Sequence, residues 1–186
     1  HIGGDLALLD RILAEAVPAL IESHFVKKQP LEEYLYRASG DAKAVPLEKD
    51  IEFFARASSE LRLDTSTLVA FGSTRRPKGK VDDDTTLRNL LDANTSAVCF
   101  VAKSWDYHVL NALQTTLDEG EAMIADSVAY LHGAGRRVFV DMEHFFDGYK
   151  HNPEFALRAI EAAVVKGATH VVLCDTNGGS LPHEVE

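Results

Sequence analysis

Positive charge, cysteine and long apolar runs are all scarce in this sequence, and each shortage argues against a class of function. Lys and Arg number 19 against 29 Asp and Glu, a formal net charge of -10. A surface of that sign repels a phosphate backbone, so nucleic acid is not an expected partner. The 2 cysteines, Cys99 and Cys174, sit inside the apolar runs "AVCFV" and "VVLCD" and not at the short spacing of a metal or redox pair. Both are expected as buried free thiols in a reducing compartment, with a disulfide as the alternative. No apolar stretch reaches the roughly 18 to 20 residues that a membrane-spanning helix needs, and no basic segment leads into an apolar one at the start. A cytoplasmic protein without membrane contact is the expectation, its start at His1 and not Met pointing to processing, a tag or excision.

What the sequence does have is enough apolar content, 46% of 186 residues, for one sizeable core. From about residue 46 two periods alternate. "STLVAF" (66–71), "SAVCFV" (96–101), "RRVFVD" (136–141) and "THVVLCD" (169–175) are short runs rich in β-branched residues. Near-continuous apolar runs of this kind mark parallel strands covered on both faces. Helical patterns precede and separate them at 46–61, 81–93, 115–135 and 152–168. Asp82 to Asp84 place negative charge where a helix N-terminus favours it, Asn152 before Pro153 is a capping pair, and Gly133, Gly135 and Gly167 follow helices as C-terminal caps do. The βαβ repeat fits an open doubly wound sheet and a (β/α)8 barrel equally well. Residues 1–45 differ: Leu6, Leu9, Leu13, Val17 and Leu20 form a helical stripe interrupted by Pro18, so a helical N-terminal segment is expected there.

In parallel α/β folds chemistry gathers where strands end, and here those ends are polar: "GSTRR", "AKSWDYH", "DMEHFFDGY" and "DTNGG". Strand alternation puts Asp141 and Glu143 on one face and Met142 and His144 on the other. Two adjacent carboxylates bind a cation, share a proton or orient a substrate; a solvated strand end is the alternative. Asp175, Thr176, Gly178 and Gly179 form a loop able to turn amides toward an anion, or an ordinary turn. "GSTRRPKGK" concentrates Arg75, Arg76, Lys78 and Lys80 without the spacing of a phosphate-binding loop, and reads as a solvated basic loop or as a carboxylate site. His108 and His144 stand apart on separate elements with no HxH or HExxH pair, so no metal ligands are assigned. Trp105 and Tyr107 line a pocket or simply pack, and Ser73 and Ser104 lack the context of an activated nucleophile.

Taken in order, "PLEKDIEFFARA", "LVAFGSTRR", "AKSWDYHV", "IADSVAYL", "DMEHFFDGYKHNPEFAL" and "LCDTNGGSLPHEV" resemble the citramalate synthase branch of the 2-isopropylmalate and homocitrate synthase family, over about residues 46–186. The resemblance implies a (β/α)8 barrel, of which residues 46–186 correspond to about four middle strands with flanking helices, while residues 1–45 do not match. It implies an acyltransferase of amino-acid biosynthesis that condenses acetyl-CoA with a 2-oxo acid, pyruvate in this branch, using Mg, Mn or Zn. It also implies Glu143 as a polar residue of the acid–base network and Thr176 as a hydrogen-bond partner of the oxo acid; Asp141, from its strand end, and Arg75, from its basic loop, are further substrate-binding candidates. The family's Arg-Asp pair and its HxH metal pair are absent from this sequence. The expectation is therefore a fragment or truncated form that does not turn over alone. A non-catalytic α/β binding or assembly protein is the alternative, and self-association through exposed sheet edges is expected under both.

Overall fold

The structure, a computed structural model, describes residues 53–57 and 60–185, all within the compact unit Pro46–Glu186. The helical segment expected over 1–45 lies outside the described residues. So does much of the helix expected over 46–61, of which residues 53–57 are helical.

Strands β1 (Val69–Ser73), β2 (Ala97–Lys103), β3 (Arg137–Glu143) and β4 (His170–Leu173) form one parallel sheet in the order 1-2-3-4. Between them run α1 (Thr85–Asp92), α2 (Asp106–Asn111), α3 (Leu117–Gly133), α4 (Phe145–His151) and α5 (Pro153–Val165), with α6 (Pro182–Val185) last and a 3-10 turn at Val81–Asp83. Alternation decides which strand residues enter the core. Ala70, Val98, Phe100, Ala102, Val138, Val140 and Met142 pack in one cluster with Leu87 and Leu90 of α1, Ile124, Val128 and Leu131 of α3, and Ala156 and Ala159 of α5. Burying each of the larger side chains stabilises the fold by about 1.5–3 kcal/mol. Phe71, Cys99, Val101, Lys103, Phe139, Asp141 and Glu143 occupy the other face, half-buried or exposed. Strand order that never reverses, with the long helices on one face, is the arrangement of a barrel arc and not of a doubly wound sheet. The described residues form a partial (β/α)8 barrel of four strands.

Local chemistry sets the helix ends. Asp84 Oδ1 accepts from the Thr86 and Leu87 amides at 2.9 and 3.1 Å, capping α1. Asn152 Oδ1 accepts from the Phe155 amide at 3.2 Å ahead of α5. Gly167, at φ +100°, takes the left-handed conformation that ends α5. Gly133, expected beyond its helix, is the last residue of α3. The short helices α2 and α4 rise from stretches that look like strand-end loops. They touch closely: a Cβ on Gly148 would lie 2.6 Å from the Ser104 carbonyl oxygen and 2.9 Å from Trp105 Cα, so only glycine fits there.

Candidate functional site

Parallel register brings Lys103 and Glu143 level at the ends of β2 and β3. Lys103 Nζ and Glu143 Oε2 form an ion pair, each side chain about a quarter exposed. The next residue breaks the strand: His144 adopts φ 55°, ψ 37°. Its amide donates to Thr176 Oγ1 at 2.8 Å, and its Nδ1 lies 3.2 Å from Asp147 Oδ2. Asp147 is fixed in turn by Asn177 Nδ2 at 2.8 Å. Strand alternation would send His144 to the face opposite Glu143. The left-handed backbone ends the alternation, and donor atoms of Glu143, His144 and His108 come within 4.8 Å of one another.

Helix α2 supplies the other wall. The His108 ring meets His144 edge-on, with centroids 4.6 Å apart and planes at 88°. Trp105 leans on both, at 4.8 Å from His108 and 5.8 Å from His144. Trp105 Nε1 and His108 Nδ1 are buried without a hydrogen-bond partner among the described residues. Burial first, then the neighbouring His144 and Lys103, hold His108 below the usual imidazole range and favour its neutral form. The two histidines are therefore not isolated, contrary to expectation. Spacing rules detect ligands that share an element, whereas this pair is assembled by the adjacency of β2 and β3.

The remaining predicted residues spread out. Asp141 lies one row deeper on the face of Glu143, level with Val101 and Val172. Burial first, and then the Asp141 carboxylate, push the Cys99 thiol up to about 12. Cys174 is raised by the same causes with Glu143 added. Both cysteines are free and half-buried. Thr176 anchors His144. Arg75 faces elsewhere: its guanidinium, 5% exposed, pairs with Glu119 at 2.6 Å and Asp126 at 2.8 Å on α3. That residue is no part of a solvated loop, although Arg76, Lys78 and Lys80 are exposed. The amides of the "DTNGG" loop already have an anion: Asp175 accepts from the Gly179 and Ser180 amides at 3.3 and 3.0 Å. Ser104, fully buried, donates to the Glu143 carbonyl at 2.9 Å and so joins β2 to β3.

The structure thus gathers Glu143, Thr176 and the unforeseen Lys103, His108 and His144, keeps Asp141 close by on the sheet, and leaves Arg75, in the loop after β1, paired to α3. Among the described residues, one group of three side chains is placed to converge on a metal ion: His108, Glu143 and His144.

No family model matches the chain. The (R)-citramalate synthase of Streptomyces coelicolor is 53% identical over 138 residues, 74% of this chain and 26% of that enzyme. The (R)-citramalate synthase of Geobacter sulfurreducens is 39% identical over 183 residues, 97% of this chain and 34% of the relative. Coverage of 97% leaves too few residues for that match to exclude the first 45. A 2-isopropylmalate synthase of Crocosphaera subtropica is 34% identical over 87 residues. The chain spans about a quarter to a third of the length of the citramalate synthases it matches. In structure it is similar to the Bacillus subtilis HMG-CoA lyase, with a TM-score of 0.57 at 17% identity over 73% of this chain and 43% of the other.

Proposed function

We propose that this chain, which belongs to the citramalate synthase family over the matched residues, supplies the acid–base strand end of a site condensing acetyl-CoA with a 2-oxo acid. Pyruvate is the oxo acid of the citramalate reaction, and the chain is not expected to turn over alone. The observation that carries the reading is the convergence of Glu143, Lys103, His108 and His144 where β2 and β3 end.

Condensation of this kind needs a base for the acetyl methyl proton and fixed positive charge or donors for the oxyanions that develop. Glu143 is the carboxylate placed to take the proton, and Lys103 is the cation in contact with it. Thr176 Oγ1 accepts the His144 amide, which leaves its own hydroxyl proton to donate to an oxygen of the 2-oxo acid. Asp141, on the same face, bounds the site from below. Arg75 has no part, because α3 holds its guanidinium. A divalent ion, when bound, polarises the oxo-acid carbonyl. The family's Arg-Asp and HxH elements do not occur in the sequence, which supports inactivity of this chain by itself.

The test combines turnover and binding. Purified chain with acetyl-CoA, pyruvate and Mg²⁺ or Mn²⁺ is expected to release no CoA thiol above background, while calorimetry detects pyruvate binding that Thr176→Val weakens. Turnover that Glu143→Gln abolishes would overturn the inactivity. Absence of heat with either pyruvate or CoA would sink the site and leave a second reading, a non-catalytic binding or assembly protein. The observation favouring that second reading is the exposed apolar surface at Phe71 and Val172 on the sheet.

A further inference from the structure

We propose that His108, Glu143 and His144 bind a divalent transition-metal ion of the zinc class, at a site distinct from the ligand set that the family resemblance implies. Two imidazoles and one carboxylate are a donor set that such ions take, and three protein ligands leave a coordination position open. Their candidate atoms lie within 4.8 Å of one another. Ligands at about 2.1 Å from a tetrahedral ion stand about 3.4 Å apart, so closure of roughly an ångström completes the site.

Three further observations point to a ligand. His144 Nδ1 rests against Asp147 Oδ2 at 3.2 Å, and Asp147 is held by Asn177 at 2.8 Å. That chain fixes the ring and leaves Nε2 as the free donor, the outer-sphere arrangement that accompanies metal-bound histidine. His108 Nδ1 is buried and finds no partner among the described residues, although buried polar atoms are rarely left so. Both rings are restrained, His144 by its backbone bond to Thr176 and His108 by Trp105. Glu143 is the arm that moves, and Lys103 is the cation that an arriving metal must displace or share. Imidazole donors select Zn²⁺ over Mg²⁺, which prefers oxygen and retains its water.

The inference does not rest on the condensation reading, because a chain that turns nothing over would still take the ion. Calorimetric titration of the full chain with Zn²⁺ in metal-free buffer, and Co²⁺ substitution followed by visible absorption, are expected to show one ion per chain. His108→Gln and His144→Gln are each expected to weaken binding about tenfold or more, and Asp147→Asn about 10- to 100-fold. Lys103→Met removes the competing cation and is expected to tighten binding. His170→Gln and His183→Gln, outside the cluster, are expected to leave it unchanged. Asp147→Asn and Lys103→Met retain all three ligands, so their opposite shifts report on the site even where a histidine variant fails to fold. No heat and no Co²⁺ band with the unaltered chain would overturn the proposal. So would binding that survives in the His108→Gln, His144→Gln double variant, or Mg²⁺ binding there in place of Zn²⁺.

Discussion

Lys103 and Glu143 end neighbouring strands in register and meet as an ion pair across them, with side chains 29% and 25% exposed. The pair is part-desolvated, so losing one partner costs more than at a free surface and less than in a sealed core. Lys103→Met, which leaves the Glu143 carboxylate without its cation, is expected to cost about 1 kcal/mol and lower Tm by about 2–4 °C. Glu143→Gln retains an acceptor for the ammonium and is expected to lower Tm less. Thermal unfolding followed by circular dichroism checks both, and a Lys103→Met chain that melts higher would contradict the argument.

Gly148 is where α4 presses on the start of α2, with the Ser104 carbonyl and Trp105 Cα inside contact distance of any added Cβ. Both neighbours are backbone and cannot rotate away. Gly148→Ala is expected to destabilise the chain by about 1–3 kcal/mol. It is also expected to shift the emission of Trp105, the sole tryptophan, because that ring rides on the displaced segment. Gly133→Ala is the control. A Cβ there meets nothing within 4 Å, and the change is expected to be neutral or to stabilise by up to about 1 kcal/mol. Urea unfolding with Trp fluorescence separates the two, and equal effects would refute the steric account.

Arg75 ties β1's following loop to α3 through Glu119 and Asp126. The hydrogen bond from Arg75 leads the causes that hold the Glu119 carboxyl below its ordinary range. A folded-state pKa below the unfolded one means that the unfolded chain binds the proton more readily. The stabilisation is therefore present above about pH 4.3 and is lost as pH falls through the folded value. Glu119→Gln is expected to flatten the acid limb of stability measured by urea unfolding between about pH 2.5 and 6. An unchanged acid limb would show that the pair contributes nothing.

The strands and the three long helices were legible because their signals are local. "SAVCFV" and "RRVFVD" lie within a residue or two of β2 and β3, and the Asp84 and Asn152 caps act as their positions imply. Helices α2 and α4 were not legible, since 6 and 7 residues are too few for a 3.6-residue period to declare itself. Strand alternation and the loop composition singled out Glu143 and Thr176 as candidates, but the particular roles expected of them came from likeness to a family. The meeting of His108 with His144 was invisible to either route: it depends on one left-handed residue and on which strands are neighbours. Arg75 shows the converse, a basic motif residue whose partners lie on a distant helix.

Among the described residues β1 and β4 each have a single strand neighbour, and Phe71 and Val172 are 63% and 46% exposed. The apolar runs read as strands covered on both faces, yet the long helices cover one. Unpaired edges and bare apolar surface both drive association, but by different contacts. Edge pairing uses backbone amides and is indifferent to the side chain at Phe71, whereas face-to-face burial depends on it. Sedimentation velocity at tens of micromolar chain is expected to show dimers or larger species. Phe71→Lys and Val172→Lys are expected to return the chain toward monomer if the face is the contact. Association that ignores both substitutions would assign the contact to the edges, and a clean monomer across the concentration range would refute self-association altogether.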